Sequence, residues 1–92
     1  MERRTIISKL RRALAGYGIR RAYLFGSFAR KERNYNDIDI AIEVPKGMSL
    51  LDLAHIENEL EKSTRVKIDL GTIDSIHPLV KKSVEKERVV LV

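Results

Sequence analysis

The sequence contains no cysteine, no tryptophan and no glutamine among its 92 residues. Without cysteine the chain can form neither a disulfide framework nor a thiolate metal site, so any metal ion must be held by oxygen ligands or by the two histidines. It also lacks an apolar run approaching the roughly 20 residues that a membrane-spanning helix needs. The basic first residues are not followed by the apolar segment of a secretory signal. We therefore expect a cytoplasmic protein with no membrane contact, in which oxygen atoms bind any metal.

Charge is distributed unevenly along a chain that carries a net +5. Residues 1–35 have ten basic and two acidic side chains, a net of +8, whereas residues 36–92 have eight basic and eleven acidic ones, a net of −3. At this length we expect one domain, residues 1–92. A basic half beside an acidic half suits a polyphosphate, a nucleic acid or an acidic partner surface, and does not choose among them.

Apolar residues recur at helical spacing in some segments and alternate with polar residues in others. These patterns predict helices over residues 3–17, 50–63 and 78–87 and strands over residues 21–25, 37–44, 66–70 and 88–92. Ser49 and Asp52 resemble a capping box that opens the second helix. The stripe expected to be buried on that helix is Leu50, Leu53, Ile56 and Leu60. Strands alternating with helices indicate an α/β or α+β fold, with a sheet covered by helices.

Two aspartates stand two residues apart in the predicted strand over residues 37–44. Successive side chains of a strand point to opposite faces, so Asp37 and Asp39 share one face and the intervening isoleucines share the other. Two carboxylates so close together repel each other, at a net cost unless a cation lies between them. Mg²⁺ prefers oxygen ligands, of which it takes only one or two from carboxylates. The pair therefore predicts a magnesium site.

A third aspartate, Asp69, has the same parity in the next predicted strand. If the two strands are neighbours, Asp69 lies beside Asp37 and Asp39. Three acids around two metal ions is an arrangement typical of phosphoryl or nucleotidyl transfer. We predict that Asp69 is a metal ligand or the base nearest the attacking hydroxyl.

The dipeptide Gly26-Ser27 follows the first predicted strand directly. Glycine allows close backbone approach, and free N–H groups at a helix start that includes Ser27 would bind phosphate oxygens. Arg30 lies three residues further, on the same side of that turn, where its guanidinium can bind the same phosphates. The polar segment over residues 28–36 separates two apolar strands with charged residues, and this is where we place the functional site.

Together these residues resemble the signature of the polymerase-beta-like nucleotidyltransferase superfamily: Gly26-Ser27, nine intervening residues, Asp37-Ile38-Asp39-Ile40, and a later strand with Asp69. The segment over residues 24–32 is similar to that of the minimal nucleotidyltransferases, the MNT proteins of prokaryotes. Compared with those relatives, Lys31 replaces a common glycine and Asn36 a common serine. The resemblance implies a mixed sheet of three to four strands flanked by helices.

The same resemblance implies roles for these residues and a partner. Gly26 and Ser27 would hold the triphosphate of ATP, Asp37 and Asp39 would coordinate Mg²⁺, with two ions expected, and Asp69 would complete the triad. MNT antitoxins often have a HEPN-domain toxin as their partner and transfer AMP to a tyrosine of that toxin, which silences its ribonuclease activity. The implied function is that of an Mg²⁺-dependent protein adenylyltransferase acting as an antitoxin.

Two other functions remain open at this point. The chain could neutralise its partner by contact alone, through the arginine-rich first helix or through the helix over residues 50–63. It could instead add nucleotides to an RNA end, which we favour less because no aromatic stacking platform accompanies the basic charge. We expect Tyr35 to pack on its own loop rather than on a nucleobase, and we give His55 and His77 no role as ligands.

Overall fold

The computed structural model describes residues 1–92 as a four-stranded mixed sheet with helices on both faces. The strands are β1 (Ala22–Phe25), β2 (Asp37–Ile42), β3 (Lys67–Thr72) and β4 (Val89–Val90). Their order across the sheet is β3-β2-β1-β4. β2 is antiparallel to β1 and parallel to β3, and β4 is antiparallel to β1. The predicted fold class, a mixed sheet of three to four strands flanked by helices, is confirmed.

Four helices connect and cover these strands: α1 (Arg3–Gly16), α2 (Gly26–Ala29), α3 (Leu50–Thr64) and α4 (Pro78–Glu87). The capping box predicted for α3 is present, because the Asp52 amide donates to Ser49 Oγ at 3.2 Å and the Ser49 amide donates to Asp52 Oδ2 at 2.8 Å. A short 3₁₀ turn (Ile73–Ser75) leads from β3 towards α4. None of the helices combines the length and the apolar character needed to cross a bilayer.

Side chains alternate between the two faces of the sheet, and α1 and α3 cover one of them. We call this the core face; its strand residues are Ala22, Leu24, Ile38, Ile40, Ile42 and Ile68. They pack against Ile6, Leu10, Leu14, Ile56 and Leu60 of the two helices. All of these side chains are at most 2% exposed. Burial of aliphatic side chains on this scale is the main favourable term in the folding of a small chain.

The opposite face, which we call the site face, carries a smaller cluster. Tyr23 of β1, Ala41 of β2 and Val84 of α4 are buried together there, and Phe25 packs against them. α4 covers only part of this face, and the remaining strand positions on it are polar or small. The site-face residues of the three long strands are Tyr23, Phe25, Asp37, Asp39, Ala41, Lys67, Asp69 and Gly71.

The outer edge of β3 is stabilised by side chains of α3. Glu61 Oε2 accepts a hydrogen bond from the Ile68 amide at 3.1 Å, and Glu57 Oε2 accepts one from the Leu70 amide at 2.9 Å. Amides on a free sheet edge otherwise need water or another strand. The two glutamates therefore hold β3, and with it Asp69, against the helix that covers the core face.

Three sequence predictions differ from the structure. Leu50 is 82% exposed, since helical spacing defines a stripe but not where along the helix the sheet begins to cover it; the buried stripe starts at Leu53. The terminal strand is only two residues long, because regular pairing with β1 is limited to Tyr23 and Leu24, although the amides of Leu91 and Val92 still donate to the Ala22 carbonyl. β2 ends at Ile42, where its pairing with β3 stops, rather than at residue 44.

Candidate active site

The turn between β1 and α2 lies directly against β2. Phe25, the last residue of β1, is paired with Asp39 across the sheet. Gly26 follows with a φ of +76°, and a Cβ placed on it would collide with the Asp39 carboxylate. Only glycine fits here, because both the backbone conformation and the closeness of Asp39 exclude a side chain. The Gly26-Ser27 turn and Asp39 thus lie side by side, and their joint role in one site stays a prediction.

Asp39 and Asp69 face each other across neighbouring strands. The two residues are partners in the parallel pairing of β2 with β3, on the site face. Asp37 lies two residues earlier on the same face, opposite Lys67. The structure therefore places the three predicted acids on one face of adjacent strands, with Asp69 directly beside Asp39.

The pKa of Asp39 is raised above the ordinary value of 3.8. Partial burial is the largest cause, followed by the negative charges of Asp69 and Asp37, while the positive charge of Arg30 acts in the opposite direction. A hydrogen bond with Asp69 also favours the protonated form. Such crowding of carboxylates is unfavourable for a protein without bound cations and is common where a cation is to be bound.

The structure tests whether these residues suit a divalent cation. No three His, Asp or Glu side chains in the chain stand close enough to form a complete metal cluster. The close pair is Asp39 and Asp69, with Asp37 further along the same face. A pair of carboxylates fits Mg²⁺, which takes one or two such ligands and completes its octahedron with water and substrate phosphates. The donor set is all oxygen, and the individual ligand roles stay predictions.

Arg30 lies at the site and is bound to two carboxylates. Its Nε is 2.6 Å from Glu32 Oε2 and its Nη1 is 3.2 Å from Glu87 Oε2. These hydrogen bonds raise the pKa of Arg30 further. The ion pair of Arg30 with Glu87 links the end of α2 to the C-terminal turn of α4. Arg30 is close enough to Asp39 for its positive charge to act against the rise of the Asp39 pKa. Its guanidinium is also paired with Glu32 and Glu87, two glutamates that the sequence did not single out.

The loop that joins α2 to β2 is anchored by a stack that sequence reasoning missed. The Arg3 guanidinium lies 4.6 Å from the centroid of the Phe28 ring and donates to the carbonyl oxygens of Phe28 and Ala29. Phe28 in turn meets Tyr35 edge to face, with ring centroids 4.8 Å apart. The prediction that Tyr35 packs on its own loop is confirmed. Arg3 thereby binds carbonyl groups at the C-terminal end of α2, the helix that carries Gly26 and Ser27.

Three further residues that the sequence analysis named are Lys31, His77 and His55. Lys31 has a φ of +63°, a conformation that glycine adopts without strain, which accounts for the glycine common in similar proteins. His77 caps α4, because its Nδ1 accepts a hydrogen bond from the Leu79 amide at 3.1 Å. That bond places the proton of the neutral imidazole on Nε2. His55 is exposed on α3.

Fold and site together define a nucleotidyltransferase domain. Residues 4–91 match the family model described as "Nucleotidyltransferase domain". The chain is 44% identical, over 77 residues and 83% of each chain, to "Putative protein adenylyltransferase MJ0435" of Methanocaldococcus jannaschii. This chain therefore belongs to the nucleotidyltransferase family and is an enzyme of that class.

Solved structures give the same fold. A "putative minimal nucleotidyltransferase" is 27% identical, with a TM-score of 0.80 over 97% of this chain and 95% of the other. A complex of tri-AMPylated HEPN toxin from Shewanella oneidensis with MNT antitoxin contains a chain that is 19% identical, with a TM-score of 0.76 over 99% of this chain and 72% of the other. The second likeness is one of fold alone.

Proposed function

We propose that this chain transfers AMP from ATP to a hydroxyl group, that of a tyrosine, on a partner HEPN-domain toxin in the cytoplasm and thereby acts as an antitoxin. The observation that carries the proposal is the meeting of Asp39 with Asp69 on the site face, directly against the Gly26 turn. Carboxylates for a cation and a glycine turn for phosphates are the two parts that nucleotidyl transfer requires.

Asp37, Asp39 and Asp69 would hold Mg²⁺, with two ions expected. The ions would neutralise charge on the triphosphate and make the acceptor hydroxyl a better nucleophile. The raised pKa of Asp39 supports this assignment, because the charge of Arg30 does not offset the effects of burial and of the neighbouring carboxylates. Ser27 and Arg30 would bind phosphate oxygens, for which Arg30 must exchange a glutamate for the nucleotide.

The chemical step is an in-line displacement at the α-phosphorus of ATP. The acceptor oxygen forms a bond to that phosphorus, the bond to the bridging oxygen breaks, and pyrophosphate leaves. The proton of the acceptor hydroxyl passes to the carboxylate of Asp69, which lies on the outer of the three strands. The Gly26-Ser27 turn then retains the pyrophosphate until it is released.

The partner is proposed from the relatives. The M. jannaschii relative is named as a protein adenylyltransferase, which supports a protein acceptor. The S. oneidensis complex joins an AMPylated HEPN toxin to an MNT antitoxin. Its 19% identity to the present chain leaves the choice of partner to experiment.

The test incubates the purified chain with ATP labelled at the α-phosphate, Mg²⁺ and the protein encoded by the adjacent gene. We expect label on that partner, and none with the Asp39→Asn variant. Asp74→Asn is the matched control, since Asp74 is an exposed aspartate of the 3₁₀ turn away from the carboxylate pair. Equal labelling by the parent and by Asp39→Asn would contradict the proposal, and neutralisation of the partner by both would favour inhibition by contact.

A further inference from the structure

Beside Asp69 the site face has a depression of about 280 Å³, which we call the side pocket. Its floor is formed by Ala41 and Gly71 and its walls include Phe25, Ile76 and Val80. Asp69 is among the residues that line it, whereas Gly26 and Asp37 are not. The side pocket therefore adjoins the proposed site of transfer on one side only.

The side pocket exists because two paired residues on its floor are small. Ala41 and Gly71 are partners in the pairing of β2 with β3. A Cβ built on Gly71 would meet no atom within 4 Å, and the backbone there does not have the left-handed conformation that favours glycine. Glycine in a strand lowers stability and often marks the close approach of a ligand. Neither local conformation nor packing accounts for Gly71.

Its walls combine large apolar side chains with the polar side chains of Thr72, Ser75 and His77. Phe25 and Ile76 are half-buried, and Val80 is 48% exposed at the first turns of α4. Leu79, the residue before Val80, is 85% exposed and does not line the side pocket. Large apolar side chains at the entrance of a pocket with an acid inside suit an aromatic group carried on a protein surface better than a small polar molecule.

The order of the strands indicates from which side the acceptor enters the site. Across the sheet, the Gly26 turn follows β1, Asp39 lies on β2 and Asp69 lies on β3, at the usual spacing of about 4.8 Å between neighbouring strands. An in-line displacement requires the attacking and leaving oxygens on opposite sides of the phosphorus. If the β1 side holds the pyrophosphate, the acceptor must enter from the β3 side. The side pocket reaches that side at Asp69 and Gly71, while Phe25 of β1 and Ala41 of β2 bound its other side.

We infer that the side pocket receives the ring of the acceptor tyrosine and presents its hydroxyl to Asp69. This inference rests on the proposed function and adds the residues that select the acceptor. Gly71 and Ala41 leave room for the ring, and Phe25 and Val80 contact its faces. A serine or threonine has no group to fill this space, so the side pocket favours a tyrosine hydroxyl over an aliphatic one.

The test uses N-acetyl-L-tyrosinamide as the probe and amide NMR of the ¹⁵N-labelled chain as the readout. We expect saturable shifts of the Gly71 and Ile76 amides in the parent. Gly71→Leu fills the floor without backbone strain and should weaken binding of the probe at least about tenfold. Gly16→Leu is the matched control, because a Cβ on Gly16 also meets no atom within 4 Å, and it should leave binding within about twofold. Gly71→Val, with a residue suited to strands, replaces the leucine variant if that one fails to fold.

A titration with ATP and Mg²⁺ separates this inference from the proposed function. We expect the nucleotide to shift the Gly26 and Ser27 amides equally in the parent and in Gly71→Leu. If the parent binds no nucleotide, the proposed function fails, while the probe still decides the side pocket. No probe shift at Gly71 would overturn the inference. So would a loss of nucleotide affinity in Gly71→Leu as large as the loss for the probe, because the side pocket would then bind the nucleobase.

Discussion

On the core face of β2, Ile38, Ile40 and Ile42 are completely buried, whereas the site face of the same strand presents Asp37, Asp39 and Ala41. One strand thus contributes to two environments, because its side chains alternate. The aliphatic positions are covered by two long helices, and the acidic ones by only part of α4. With the hydrophobic core on one face, the other face can carry crowded carboxylates and a strand glycine that lower stability and serve chemistry.

Substitutions at the adjacent β2 residues Asp39 and Ile40 should therefore differ in their effect on the free energy of unfolding. This difference is the largest effect that we predict. Ile40→Ala removes a fully buried side chain and should lower the free energy of unfolding by about 2–5 kcal/mol. Asp39→Asn removes a charge that is unfavourable in the free protein, so the free energy of unfolding should stay equal or rise. Transfer of AMP should nevertheless fall more than about a hundredfold in Asp39→Asn.

Urea unfolding and the initial rate of labelling from ATP measure the two quantities. The comparison would fail if Asp39→Asn were as unstable as Ile40→Ala, since the acid would then belong to the structural core.

Gly26 and Gly18 offer a second comparison, between a turn inside the site and one outside it. Their φ angles are +76° and +79°, so alanine at either position should cost roughly 1 kcal/mol through backbone strain. At Gly26 the added Cβ also collides with the Asp39 carboxylate, whereas at Gly18 it meets nothing within 4 Å. We expect Gly26→Ala to lose transfer activity as well as stability, and Gly18→Ala to lose stability alone.

Thermal unfolding and the rate of labelling from ATP, measured for Gly26→Ala and Gly18→Ala, test this expectation. Equal activity in both would mean that Asp39 can move away from the turn without consequence.

The features of the site that are local in the sequence could be predicted, and those that depend on distant residues could not. Strand alternation places Asp39 and Asp69 on the same face by parity alone, and the structure confirms that they are neighbours. The hydrogen bond of Arg3 to the Phe28 carbonyl spans 25 residues, and the pair of Arg30 with Glu87 spans 57. No periodicity encodes such contacts, because they arise only when helices pack on the sheet.

A smaller effect is the pH dependence that Asp39 contributes to stability. Its pKa is raised in the folded state, so the folded state binds this proton more tightly than the unfolded state. The ionised carboxylate is therefore unfavourable at neutral pH, and the cost disappears as the pH falls through the raised pKa towards 3.8. The gain in stability of Asp39→Asn over the parent should be largest at neutral pH, at less than about 1 kcal/mol because solvent screens the site.

Differential unfolding of the two proteins between neutral and acidic pH measures this gain. Added Mg²⁺ at neutral pH should raise the melting temperature of the parent more than that of Asp39→Asn. A gain that grows as the pH falls would contradict the assigned direction of the shift.

The smallest predicted effect concerns the contact between α4 and the phosphate side of the site. Glu87 holds Arg30 at 3.2 Å, so Glu87→Gln should free the guanidinium for the nucleotide and strengthen binding of ATP by up to about fivefold. Glu85→Gln on the same helix removes an equal charge from a residue without an ion pair, and it controls for the general change in potential. Calorimetric titration of both variants at low and high salt measures the difference, which should shrink as salt screens the exposed pair. An equal gain in both variants would mean that net charge, rather than release of Arg30, governs the affinity.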